Sequence, residues 1–307
     1  MQRVEPRPRT QVWAFGGGKG GIGKTFLAAN LGVTAALAGR SVVLVDLDLG
    51  GGNLHTCLGV RASSRVNLLD FLDHRVEELE KVAIETAIPG LRLILGALNH
   101  PGAAETTRAQ RTEMLRQIRT LQADVVILDL SAGTERQTLD FFLASNLSFV
   151  VTTPEPTAIE NMYQFLRAAY YRKLSHALSG SPVREVLRAA MDRRNERGIR
   201  TPGDLLDEVK KIDAQEAARF ERVISEMRPG LIVNQVRNSE EVKLGFSLRG
   251  VCARHLGVDL DYVGYVNFDD CVWRSVKDRQ LLVQAFPQSD GALYIRRIVK
   301  KLLEEVR

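Results

Sequence analysis

The sequence predicts an α/β fold, a doubly wound, mostly parallel sheet with helices on both faces. Three observations lead to it. Ser41–Val45 (SVVLV) is an unbroken apolar, β-branched run of the kind buried on both faces of a parallel sheet. Gln11–Phe15 (QVWAF) is a second apolar run, and the glycines Gly16, Gly17 and Gly18 separate it from Thr25–Ala38, whose small and apolar residues are spaced as in a buried helix. Further strand-like runs then alternate with helical patterns along most of the chain.

Taken in order, Gln11–Phe15 and Thr25–Ala38 form strand, loop and helix. Gly39-Arg40 closes the helix, and Ser41–Val45 completes a β-α-β unit. Strands are expected at Leu91–Leu95, Asp124–Leu128, Ser148–Thr152, Leu231–Asn234 and Tyr262–Tyr265. The stretch from about 172 to 228 breaks this rhythm. It is dense in Arg, Glu, Asp and Lys, has no strand-like run, and reads as a helical insertion with a turn at 179–182 and an N-cap at Thr201-Pro202. Residues 1–10 carry Arg3, Arg7 and Arg9 with Pro6 and Pro8 and no apolar run, so they read as a flexible tail rather than a signal peptide. Residues 11–307 are then one domain, interrupted by the insertion.

With 307 residues, 45% hydrophobic and 26% charged, the chain matches an ordinary folded protein and excludes the disordered, collagenous and disulfide-rich classes. The excess of 42 Lys+Arg over 37 Asp+Glu, a net charge of +5, permits attraction to nucleic acid or anionic lipid and requires neither. Cys57, Cys252 and Cys271 are scattered and never spaced C-x-x-C, which excludes a disulfide framework and a zinc or iron–sulfur site. No run approaches the ~18 apolar residues that span a bilayer. The expected location is the cytoplasm, with any membrane contact peripheral, at the inner face.

The chemistry is concentrated in Gly18-Lys19-Gly20-Gly21-Ile22-Gly23-Lys24-Thr25, which contains G-x-x-x-x-G-K-[ST] between a predicted strand and a predicted helix. Glycines let backbone N–H groups converge on phosphate oxygens, and the helix N-terminus adds partial positive charge. Lys24 is placed to neutralise the β- and γ-phosphates, and Thr25 to ligate Mg²⁺. Asp46 and Asp48 follow the SVVLV strand directly, at the sheet edge where such folds bind ligands. Asp129 ends another strand at the same edge; an aspartate there also caps whatever follows.

The second lysine extends the motif to K-G-G-x-G-K-[ST], from Lys19 to Thr25, and with it the chain resembles the deviant Walker A ATPases of the MinD/ParA group. That resemblance implies that ATP and Mg²⁺ are bound by the loop from Gly18 to Phe26. It implies an ATP-sandwich homodimer in which Lys19 reaches the partner's nucleotide. Asp48 would orient the attacking water, Asp46 would lie near Mg²⁺ through a bound water, and Asp129 would match the Walker B carboxylate, which holds Mg²⁺ from beyond its direct ligands. Asp48–Gly59 resembles the family's switch-adjacent stretch, with His55 where aspartate is usual and Asn53 either coupling nucleotide state to dimer contacts or forming a turn. Leu231-Ile-Val-Asn234 resembles the strand whose terminal Asn reads the adenine edge, although Asn234 also suits a turn cap. Gly264–Asp270 occupies the place of G-x-I-P-x-D, with Asn267 instead of proline.

In its local motifs, Val150–Ile159 above all, the chain is nearest the MinD-like flagellar-number regulators, FlhG (also called FleN). The implied function is an ATP-hydrolysing switch that places or counts a cell-surface or flagellar machine with an activating or cargo protein. A ParA-like partitioner on DNA is the alternative, and a nucleotide-locked scaffold with negligible hydrolysis a third. For DNA the candidate contacts are Arg193-Arg194, Lys210-Lys211 and the C-terminal basic pairs, which equally form solvated helix faces. Ile295, Ile298, Val299, Leu302, Leu303 and Val306 line one face of a basic amphipathic helix, either an anionic-membrane contact or a last core helix. The helical insertion is a candidate partner-docking or dimer-modulating surface.

Overall fold

The computed structural model describes residues 10–61, 66–96, 106–178, 183–191, 198–199 and 201–305. The expected tail up to residue 9, the turn at 179–182, the pair Arg193-Arg194 and Val306 lie outside them. The chain opens with β1 (Gln11–Gly16), α1 (Lys24–Leu37) and β2 (Val42–Leu47). Two short helices follow, α2 (Leu54–Cys57) and α3 (Leu68–Leu72). Asn67 starts α3 with a reciprocal cap, its side chain accepting from Leu69 N while Asp70 accepts from the Asn67 N–H.

Next come β3 (Ala83–Glu85), β4 (Leu91–Ile94), α4 (Arg108–Ile118), β5 (Val125–Leu130), α5 (Arg136–Ala144) and β6 (Leu147–Thr152). The long α6 (Pro156–Ala177) leads into α7 (Arg184–Met191), α8 (Pro202–Ile212) and α9 (Ala214–Ser225). Thr201 caps α8, its hydroxyl accepting from Asp204 N at 3.1 Å with Pro202 in the first turn. The chain closes with β7 (Gly230–Val236), α10 (Ser239–Leu256), β8 (Asp261–Asn267), α11 (Asp270–Lys277), α12 (Leu282–Ala285) and α13 (Asp290–Glu305).

The strands form one sheet in the order β3-β4-β2-β5-β1-β6-β7-β8. All neighbours are parallel except β3, which pairs antiparallel with β4 at one edge. β3 is absent from the sequence reading because three residues, half-buried or exposed at an edge, leave no hydrophobic period to detect. Val42–Leu47 and Val125–Leu130 are buried throughout, as central parallel strands must be.

Each face of the sheet carries its own core. On one side α1, α12 and α13 pack around Trp13, Leu27, Leu44 and Ile127; on the other α4, α5, α6 and α10 pack around Val43, Val126, Phe142 and Phe165. Helices α7 and α9 pack on α6 and α8 packs on both of them, and Phe220 of α9 meets Tyr170 of α6 edge to face. Ile295, Ile298, Val299 and Leu302 of α13 are buried in the first core, so the amphipathic stripe is a core helix packed on α1 and β8. An anionic membrane would meet that stripe only if the helix undocked. No described helix is long and apolar enough to cross a membrane.

Candidate functional site

The order β2-β5-β1-β6 brings the C-terminal ends of four parallel strands together, and the loop between β1 and α1 lies over them. Gly23 takes φ +91°, a left-handed turn that starts α1 without a side-chain cap, and no acidic residue follows in its first turn. The first N–H groups of a buried, fourteen-residue helix are thereby left for an anion. Gly18 is required for a different reason: a Cβ there would collide with the main-chain carbonyl of Asn161 in α6. The loop is tied further by Gly133 N, which donates to Gly17 O at 3.1 Å. Ile22 and Phe26 are buried beneath it, while Gly20 and Gly21 are exposed above.

Lys24 is buried, and its ammonium donates to the Lys19 carbonyl at 3.3 Å. Burial pulls its pKa down, and the carboxylates of Asp129 and Asp48 oppose that pull. Asp129 and Asp46 face each other across the β2–β5 register, each only 1% exposed. Burial pushes the Asp129 carboxyl up to about 7; Thr25 and Lys24 favour its ionised form and Asp48 disfavours it. Neither Asp129 oxygen has a hydrogen-bond partner among the described residues. A buried carboxylate without partners costs free energy unless a cation, water or ligand completes it. With the Thr25 hydroxyl close by, this donor set fits Mg²⁺, a hard cation that takes one or two protein oxygens and completes its shell with phosphate and water.

Asp46 differs from Asp129. Its oxygens accept from Asp48 N and Leu54 N, both at 3.2 Å, so it braces the loop after β2. Burial and Asp129 push its carboxyl well above the usual range, and those two N–H donors hold it down only in part. Asp48 itself is half-buried on that loop and near enough to Lys24 and Asp129 to act on their charge. Asn53 starts α2 and gives its side-chain amide to Gly51 O at 2.7 Å.

Lys19 points the other way, onto the exposed face, where its ammonium meets Glu155 Oε2 at 3.2 Å and Thr157 Oγ1 at 3.1 Å. Glu155 holds the N-cap position of α6 without capping it, which leaves its carboxylate to the lysine. Asn234, at the end of β7, is buried and donates its amide N–H to Ile22 O at 2.9 Å. In this structure one amide N–H braces the phosphate loop, which leaves the second N–H and Oδ1 for the base-edge role drawn from the resemblance. The next residue, Gln235, has φ +59° at a register shift between β7 and β8, a local irregularity directly after the bracing asparagine.

Gln235, Glu155 and Thr157 were not legible as site residues. A positive-φ glutamine has no sequence signature, and Glu155 lies 136 residues from the lysine it meets. The cysteines are free, and no group of three or more His, Cys, Asp or Glu among the described residues forms a dedicated metal cage.

A parallel sheet carrying a two-lysine phosphate loop and a buried carboxylate pair at one edge defines a P-loop nucleotide-binding protein. Residues 13–283 match the CobQ/CobB/MinD/ParA nucleotide-binding domain, and the chain belongs to that family of P-loop ATPases. It is 24% identical over 305 residues to the antiactivator FleN of Pseudomonas aeruginosa, covering 98% of this chain and 89% of FleN. It is 30% identical over 160 residues to the flagellum site-determining protein YlxH of Helicobacter pylori, covering 52% of this chain and 53% of YlxH. Among solved structures, MinD of Pyrococcus horikoshii complexed with Mg-ADP superposes with a TM-score of 0.65 at 18% identity, covering 95% of this chain and 96% of that one.

Proposed function

We propose that the chain is a MinD/FlhG-like switch, one P-loop domain with a helical addition at α7–α9, which binds Mg-ATP, closes as a symmetric dimer and opens after hydrolysis. The observation that carries this reading is the division of labour between two lysines of one loop. Lys24 is buried against the carboxylates, whereas Lys19 is half-exposed and held by an exposed glutamate. An exposed ion pair is worth about 1 kcal/mol or less, so Lys19 can be drawn away by a stronger anion. A partner subunit's nucleotide would supply one.

Mg²⁺, when bound, would neutralise charge on the transferring phosphoryl group. Thr25 and Asp129 are the residues that would hold it. Lys24 and the free N–H groups of α1 bind phosphate oxygens, Asp48 orients water, and Asp46 keeps the Asp48 loop in place through its backbone bonds. The flagellar or cell-surface branch is supported by the likeness to FleN and YlxH. An activating or cargo protein belongs to this reading.

Light scattering of the purified protein with ATP or ADP tests the switch. Asp48→Ala is expected to be trapped as an ATP dimer with phosphate release abolished, and Lys19→Ala to stay monomeric with either nucleotide. A monomeric Asp48→Ala protein in saturating ATP would remove the sandwich-dimer reading. Phosphate release equal to wild type in Lys24→Ala would remove the catalytic one.

A further inference from the structure

One cavity has no residue of the phosphate loop in its lining. It opens between α4, α5, α6 and α7 on the α6 side of the sheet and encloses about 760 Å³. That size lies within the roughly 300–1,000 Å³ of small-molecule sites. Its basic lining is entirely arginine: Arg108 and Arg111 from α4, Arg136 from α5, Arg172 from α6, and Arg184 and Arg188 from α7. Among the described residues one carboxylate, Asp140, stands against these six, a local excess of five positive charges. His176 adds none at neutral pH, because burial and then Arg172 hold its pKa below the usual value.

The floor is pre-organised. Asp140, 11% exposed, takes Arg172 in a two-pronged bond, Nε to Oδ1 at 2.8 Å and Nη2 to Oδ2 at 3.0 Å. It also accepts from Arg111 Nε at 3.0 Å, and Arg111 donates onward to the Thr106 carbonyl. One carboxylate thus fixes two guanidinium planes and leaves them with a net positive charge. The rim contrasts with the floor: Arg108, Arg136, Arg184 and Arg188 are exposed and make no ion pair with any described residue. Like charges gathered in one concavity repel each other, and a multivalent anion relieves that repulsion. Leu115, Leu143, Leu187 and Met191 supply apolar wall between the arginines.

We propose that this cleft is a second ligand site, for a compact molecule of the nucleotide class carrying two or more phosphate groups on a ring-bearing body. Planar arginine forks match phosphate oxygens bidentately, and guanidinium faces and leucine walls suit a flat ring. Charge density favours phosphate over an acidic peptide. A sphere of the cavity's volume is about 11 Å across, whereas four extended acidic residues, needed for comparable charge, span about 13 Å. The proposal is independent of how the phosphate loop is used.

Calorimetric titration of the full-length chain carrying Lys24→Ala, which disables the phosphate loop and leaves the cleft untouched, tests it with inorganic pyrophosphate, adenosine 3′,5′-bisphosphate and a hexaglutamate peptide as probes; Mg-ADP cannot serve to block the loop, because it belongs to the proposed ligand class and would fill both sites. The expected result is one site for each phosphate probe, the bisphosphate tighter than pyrophosphate, and little or no heat from the peptide. Arg184→Glu/Arg188→Glu, at exposed helix positions, should weaken both phosphate probes at least roughly tenfold with an unchanged melting temperature. No phosphate binding to the Lys24→Ala protein, binding indifferent to the added Arg184→Glu/Arg188→Glu, or a peptide bound as tightly as the bisphosphate would each overturn the proposal.

Discussion

Asn234→Ala separates the two roles that Asn234 can have. The amide nitrogen lies 2.9 Å from the Ile22 carbonyl oxygen, both residues are buried, and no other donor among the described residues reaches that carbonyl. Truncation leaves a buried acceptor unsatisfied, a cost of about 1–3 kcal/mol. Unfolding entropy of about 2.1 cal/mol/K per residue makes ~2 kcal/mol worth roughly 3 °C in a chain of this length. Scanning fluorimetry of the nucleotide-free protein should therefore show a loss of about 3 °C. Asn234→Asp should lose more, because it sets an ionised acceptor against a carbonyl. Calorimetry with ADP should show weaker binding in both, as the loop loses its brace. If Asn234→Ala melts like wild type while ADP binding collapses, the loop-brace reasoning is refuted and Asn234 acts on the nucleotide alone.

Other outcomes are equally concrete. Gly18→Ala should cut nucleotide affinity more than tenfold while the chain stays folded, because the new methyl displaces the loop from Asn161; a dissociation constant within twofold of wild type, read by calorimetry, would contradict that packing. Glu155→Gln should shift the ATP-driven monomer–dimer equilibrium toward dimer by a few-fold, as an exposed ion pair of ~1 kcal/mol predicts; sedentary monomers at every ATP concentration in sedimentation runs would count against it. The Asp129 carboxyl, raised to about 7 from its unfolded value of 3.8, makes the folded nucleotide-free protein bind the proton more tightly than the unfolded chain. Its contribution to stability is therefore complete below about pH 4 and is lost as pH rises through 7. Asp129→Asn should flatten that loss and melt higher than wild type at pH 8, with Mg²⁺-dependent nucleotide binding impaired; a lower melting point there would reverse the sign of the argument.

How much could be read in advance followed from whether the signal was local. The two-lysine loop is local: its glycines, lysines and threonine lie side by side and their spacing is set by phosphate geometry. The central strands were legible because burial on both faces writes continuous apolar runs, Val42–Leu47 and Val125–Leu130 among them. The amphipathic C-terminal helix stayed ambiguous in sequence, since a core stripe and a membrane stripe have one period; only the docking of Ile295 and Ile298 against α1 and β8 separates them. The arginine cleft was invisible for a related reason. Arg108, Arg136, Arg172 and Arg184 each sit on a different helix, and singly each reads as a solvated charge.

Helix α6 has twenty-two residues, about 33 Å of continuous rod. Its N-cap Glu155 and its second turn, through Asn161, adjoin the phosphate loop, and its last two turns carry Arg172 and His176. A rod of that length is a lever. Tilting it by about 5° at the loop end sweeps the far end through roughly 3 Å, the scale on which packed helices slide over one another. A ligand that favoured one tilt at the arginine end would move the loop end with it through stiffness alone, with no chain of switching side chains in between.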